Sequence, residues 1–143
     1  MIDHSVSAPV AYRTHVRIAV MAAWLLTRYW FLARTGSSPA DLGARLGGGP
    51  SDAVPSWLPS TRVVAIVARV ARLHPLRPTC LPQALTVCHL LARAGRRASV
   101  RLGVDRADGH LLAHAWVHAP DLPDVSCHTG FEPLGDIHPQ STT

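Results

Sequence analysis

One arrangement between Pro78 and Leu134 constrains the fold more than anything else in the chain: a cysteine opens a helical pattern, two strand-like runs follow, and the second run carries a histidine. The stretch reads PTCLPQALTVCHLLARAGRRASVRLGVDRADGHLLAHAWVHAPDLPDVSCHTGFEPL. Thr79 is placed to cap a helix over residues 80–94, Pro82 falls in its first turn where a missing N–H is harmless, and Gly95 suits the C-cap. Leu81, Ala84, Leu85, Cys88, Leu91 and Ala92 recur at helical spacing and form the stripe that must be buried. Arg93, Arg96 and Arg97 then complement the helix dipole. Residues 98–104 (ASVRLGV) alternate as a strand, DRADG turns, and 110–119 return antiparallel. On the returning strand Leu111, Ala113, Ala115, Val117 and Ala119 share an apolar face for the core, while His110, Leu112, His114, Trp116 and His118 share the working face. A helix and a hairpin bury these surfaces by packing on each other, which makes the fold α+β.

The remaining residues supply helices. Residues 1–12 read as an irregular leader and 13–34 as one helix, apolar nearly all round, with Trp24, Tyr29, Trp30 and Phe31 crowding its second half. Ten uncharged residues separate Arg17 from Arg28, short of the ~20 a membrane span needs. The helix therefore suits a core position, a docking surface for a partner protein, or the plane of a membrane interface. Ser37 or Ser38 before Pro39 can cap a short helix through Leu46, which GGGPSD then breaks into a linker or long loop. Residues 61–73 read as a helix capped by Ser60 or Thr61, and Pro75 and Pro78 force an extended approach to Cys80. At 143 residues the chain is one domain, divided in texture into an N-terminal helical segment with a Pro/Gly-rich linker (1–60) and a core (61–143). VSCHTGFEPL can hold another short strand, and the tail after Gly135 reads as irregular.

The net charge of +5 arises from fourteen arginines and no lysine against nine acids. Such a balance suits nucleic acid, an anionic membrane surface or an acidic peptide. A nucleic-acid or other basic binding module would cluster arginines with exposed aromatics on one face. Here the arginines run from Arg13 to Arg106 and most aromatics lie in the first helix, which disfavours that class. Cys80, Cys88 and Cys127 form an odd set without paired spacing, and MIDHSVSAPV lacks the pattern of a signal peptide. Free thiols in a reducing cytoplasm are expected.

Cys80 is the candidate nucleophile. At a helix N-terminus the unpaired N–H groups and the dipole both favour thiolate, and a nearby imidazole would serve as base and then as acid. The ordinary fate of a free cysteine is a small buried hydrophobe, and Cys88, inside the apolar stripe, fits that. His114 is the candidate base: its neighbours in AHAWV are small enough to admit a helix, and Trp116 can shield the site and contact substrate. His110, His114 and His118 raise a zinc alternative, but residues four apart on a strand stand about 13 Å apart. No HExxH or CxxC spacing supports a metal either, so neither metal nor other cofactor is expected. An acid must orient the imidazole. Asp124 and Asp121 both follow His114 at a suitable distance, Asp124 being preferred, and a Cys–His dyad is the third option. Gln83, one turn after Cys80, could assist an oxyanion.

Taken together, CLPQALTVCHLLARAG, ASVRLGV, AHAWV and FEPL resemble, in order and spacing over residues 61–135, the leader peptidase of lasso-peptide biosynthesis, the stand-alone protease half of the lasso B protein. That resemblance implies a papain-like, transglutaminase-like core with N-terminal helices and a small antiparallel sheet. It implies a cysteine protease that removes the leader from a ribosomally made precursor peptide, with Cys80 as nucleophile, His114 as base and Asp124 as orienting acid. It also implies a separate leader-recognition protein, for which this chain has no room, and a cyclase acting on the freed amine as a further candidate partner. The family's acid usually lies slightly further beyond the AHAWV histidine, near Ser126 or Cys127 here. A transglutaminase-like acyl transferase with the same Cys–His chemistry is the competing enzyme class, and a non-catalytic basic peptide-binding module the competing non-enzyme.

Overall fold

The computed structural model describes residues 8–46, 54–107, 109–123 and 132–139. Helix α1 (Ala8–Arg34) starts at Ala8 rather than Arg13. Pro9 sits in its first turn, where proline's fixed φ suits a helix and its missing N–H costs nothing. Ile18, Ala22, Leu25, Leu26 and Tyr29 are buried, and this face packs against α3 (Ser60–Leu73) and α4 (Cys80–Arg93). By length and composition alone α1 is long and apolar enough to cross a membrane, although one face is committed to the core.

Helix α2 (Pro39–Arg45) is started by Ser38. The Asp41 N–H donates to Ser38 Oγ at 3.2 Å and the Ser38 N–H donates to Asp41 Oδ2 at 3.3 Å, a reciprocal capping box. The glycine-rich run that follows lies outside the described residues. Neither Ser60 nor Thr61 caps α3; its N-cap is Pro59, which has no side chain able to do so. Distant residues hold that end instead. The Arg96 guanidinium donates to Ser60 Oγ (3.0 Å), Pro55 O (2.9 Å) and Leu58 O (2.6 Å), and the Asp121 carboxylate also bonds to Ser60.

Helix α4 is the centre of the molecule, with every residue from Ala84 to Leu91 buried. Its C-cap is Ala94 rather than Gly95; Gly95 follows with φ 78°, a conformation that would strain a residue with a Cβ. Three antiparallel strands follow, β1 (Ser99–Ala107), β2 (His110–His118) and β3 (Glu132–Ile137), ordered β2-β1-β3. β1 reaches Ala107 rather than 104, and Ala107 pairs with His110. The tail expected to be irregular after Gly135 instead continues β3: Ile137 is buried opposite Val100, and Arg101 Nε meets Asp136 Oδ1 at 3.1 Å. Leu102 faces Gly135 while Gly103 faces Pro133, leaving Leu134 as an inserted bulge residue. Pro133 is tolerated because β3 is an edge strand.

The proposed apolar face of β2 holds only in its second half. Ala115 and Ala119 are buried, whereas Leu111 is 66% exposed and Ala113 is exposed. The hairpin tip therefore extends past the helices that cover the rest of the sheet. One core contains Ile18 and Tyr29 of α1, Leu42 and Leu46 around α2, Val63 and Val67 of α3, Leu85 and Leu91 of α4, and Val100, Ala115 and Ile137 of the sheet. It crosses the change of texture near residue 60. The architecture is α+β, with four helices and a small antiparallel sheet among the described residues.

Candidate active site

The chain leading into Cys80 is fixed at three points. His74 Nδ1 accepts from the Leu76 N–H at 3.1 Å, so its other nitrogen carries the hydrogen and donates to Thr27 Oγ1 at 2.8 Å. Thr27 Oγ1 in turn donates to Ala23 O at 2.9 Å, pinning this turn to α1. Arg77 adopts φ 46°, the only positive φ of a non-glycine among the described residues, and its N–H donates to His74 O at 3.1 Å. Pro78 O then accepts from Gln83 Nε2 at 2.9 Å. An extended Thr79 delivers Cys80 as the first residue of α4.

Thr79 occupies the N-cap position but makes no side-chain capping bond, and Pro82 has no N–H. The first-turn amides beside Cys80, which have no intrahelical acceptor, are thus not consumed by a cap side chain. Cys80 is partly exposed. Cys88, two turns on, is fully buried, and burial pushes its thiol up to about 12. It stays protonated and packs as a hydrophobe.

His114 sits in β2 opposite Gly103 and is partly buried. Its ring stacks on Trp116, centroids 5.6 Å apart and planes 23° from parallel, which restrains the imidazole. Cys80, Gln83, His114 and Trp116 all line one cavity of about 330 Å³. Val64 and Val67 of α3, Ala84 and Val87 of α4, and Val117 and Leu122 complete an apolar wall. That Val64 opens onto the cavity follows from how α3 lies beside α4, which local sequence does not encode.

The acids are placed differently. Asp121 is bonded to Ser60 at the start of α3, and that bond holds its carboxyl below the usual range. It does not line the cavity. Asp124 lies outside the described residues, as does Cys127. His110 and His118 are exposed at the two ends of β2. Among the described residues no group of three His, Cys, Asp or Glu side chains could hold a metal ion.

The arrangement sets a thiol at a helix N-terminus and an imidazole on an adjoining strand around one largely apolar cavity, a layout suited to acyl chemistry through sulfur. A family model described as the transglutaminase-like superfamily matches residues 22–134, from the middle of α1 into β3. No curated protein and no solved structure matches the chain. With four-fifths of its length matched and an α+β core of the corresponding kind, the chain belongs to the transglutaminase-like superfamily, a fold used by cysteine peptidases and acyl transferases.

Proposed function

We propose that this chain is a cysteine peptidase that removes the leader from a ribosomally synthesised lasso precursor peptide, working in the reducing cytoplasm with a separate leader-recognition protein. The observation that carries the reading is the cavity shared by Cys80 and His114. His114 takes the proton from the Cys80 thiol as sulfur attacks the scissile carbonyl carbon. The oxyanion points at the first-turn amides of α4, with the second N–H of the Gln83 amide as a further donor. Collapse breaks the C–N bond, His114 protonates the departing amine, and an acyl-thioester remains on Cys80. Water then attacks that carbonyl, giving a proton to His114, and the C–S bond breaks to release the leader acid and restore the thiol.

Trp116 holds the imidazole plane and borders the substrate path. The apolar wall of Val64, Val67, Val87 and Leu122 selects an uncharged side chain next to the cleaved bond, because a charge there would be desolvated without a partner. Asp124 is the acid assigned to orient His114; Asp121 is already engaged by Ser60. The freed amine passes to a cyclase, which closes it onto a carboxyl side chain.

The experiment is to mix the protein with a lasso precursor peptide and its leader-recognition protein and to follow leader release by mass. Cys80→Ala and His114→Ala should both abolish release. Cleavage by Cys80→Ala at the wild-type rate would sink the proposal. A leader acyl group joined to an added amine, with little free acid, would instead identify an acyl transferase.

A further inference from the structure

Opposite its buried face α1 presents a second apolar face to solvent. Tyr12 (72% exposed), Val16 (42%), Val20 (64%), Trp24 (69%) and Phe31 (55%) follow at spacings of four, four, four and seven, which stack on one side of a helix. The strip widens at Trp24, where a shallow groove with Thr27 leads to Leu73 of α3, itself 79% exposed. Contiguous apolar surface of this kind marks an interaction site on a soluble fold.

Charge selects the partner. No acidic residue lies between Ala8 and Arg34, whereas Arg13, Arg17, Arg28 and Arg34 do. Along one edge of the strip, and sharing Trp24 with it, a second cavity of about 380 Å³ is lined by Arg28 of α1, Arg45 of α2 and His89 and Arg93 of α4. Arginines of three helices line it, and among the described residues no carboxylate does. An apolar strip alone fits many partners, and a basic cavity alone fits many anions. The two joined at one tryptophan fit a surface that is apolar inside and anionic at its boundary. We propose that the outer face of α1 seats on anionic membrane surfaces, with Val16, Val20, Trp24 and Phe31 at the acyl boundary and a lipid phosphate held among Arg28, Arg45 and Arg93. Because Ile18, Ala22, Leu25, Leu26 and Tyr29 stay in the core, the helix lies in the membrane plane and does not cross it. No residue of α1 lines the cavity of Cys80, so seating leaves that cavity open.

The test is flotation of the full chain with vesicles of phosphatidylcholine alone and of phosphatidylcholine mixed with phosphatidylglycerol. Binding is expected to the mixed vesicles only and should fade with added salt. Arg28→Gln and Arg45→Gln should each weaken the partition about fivefold, and Trp24→Ser with Val20→Ser about tenfold or more. These side chains are exposed, so circular dichroism melting should be unchanged and loss of binding cannot be ascribed to unfolding. Absence of flotation with mixed vesicles, or equal flotation with both kinds, overturns the proposal. So does a stabilising effect of inorganic phosphate through the same arginines without vesicle binding, which would mark a soluble anion site. A Trp24-dependent dimer in solution, or Trp24-dependent binding of the leader-recognition protein without vesicle binding, likewise assigns the face elsewhere. Leader release in vesicle-free solution is measured separately, so failure here leaves the peptidase reading untouched.

Discussion

Cys80 and Cys88 occupy the same helix, yet one borders a cavity and the other is sealed in the core. Native protein treated with iodoacetamide should therefore be labelled at Cys80, and at Cys88 only when the domain unfolds; labelling of Cys88 at the rate of Cys80, read by peptide mass, would contradict the burial. Asp121 divides structure from chemistry in a similar way. Its carboxyl is held low first by the bond to Ser60, so its contribution to stability is present above the ordinary carboxylate range and is lost as pH falls through its lowered value. Asp121→Asn should lower the melting temperature at neutral pH while leaving the rate of leader release unchanged at a permissive temperature. A large loss of release with unaltered melting would instead make Asp121 part of the catalytic machinery.

Between elements, α2 approaches the end of β3 closely at Gly43. A Cβ added at Gly43 would meet His138 O at 2.7 Å, and backbone does not yield as a side chain does. Gly43→Ala should cost ~1–3 kcal/mol, read from the denaturant midpoint, despite alanine's better helix propensity. Elements with local signals were legible in the sequence: the Ser38 and Thr79 helix starts, a glycine just past the end of α4, and the antiparallel pairing of β1 with β2, although DRADG reads as the turn between them and β1 runs on to Ala107. Cys80 and His114 could be singled out because a helix N-terminus and strand alternation are local patterns. What could not be read depends on distant residues. Arg96 and Asp121 hold the start of α3 from far along the chain, while Pro133 and Gly135 disguise how far the strand offered by FEPL continues along the free edge of β1. The first turn of α1 was hidden by Pro9, which reads as a breaker unless it opens a helix.

Across the whole molecule, buried polarity joins the N-terminal helices to the core. Tyr29 Oη lies 2.8 Å from His89 Nδ1 and donates to Arg45 O at 3.3 Å, tying α1, α2 and α4 together. Burial, then the nearby Arg93 and Arg28, lowers His89 from 6.5 to about 4. The unfolded chain thus binds more protons than the folded one between those values, so this group withdraws stability as pH falls from about 6.5 to about 4 and withdraws no more below that. Melting temperatures across that window should decline for the wild type and decline less steeply for His89→Gln; parallel slopes would remove His89 from the account. The position of β1 between β2 and β3 also favours an order in time. Its pairing with β2 joins segments adjacent in the chain, whereas its pairing with β3 closes a loop that spans the whole of β2 and the segment beyond, and loop closure grows costlier with length. The strands nearest Cys80 and His114 can associate before β3 arrives, which makes β3 a late fastening. In stopped-flow experiments Ile137→Ala should accelerate unfolding while scarcely slowing refolding, and a refolding arm slowed in proportion to the lost stability would place β3 in the nucleus instead.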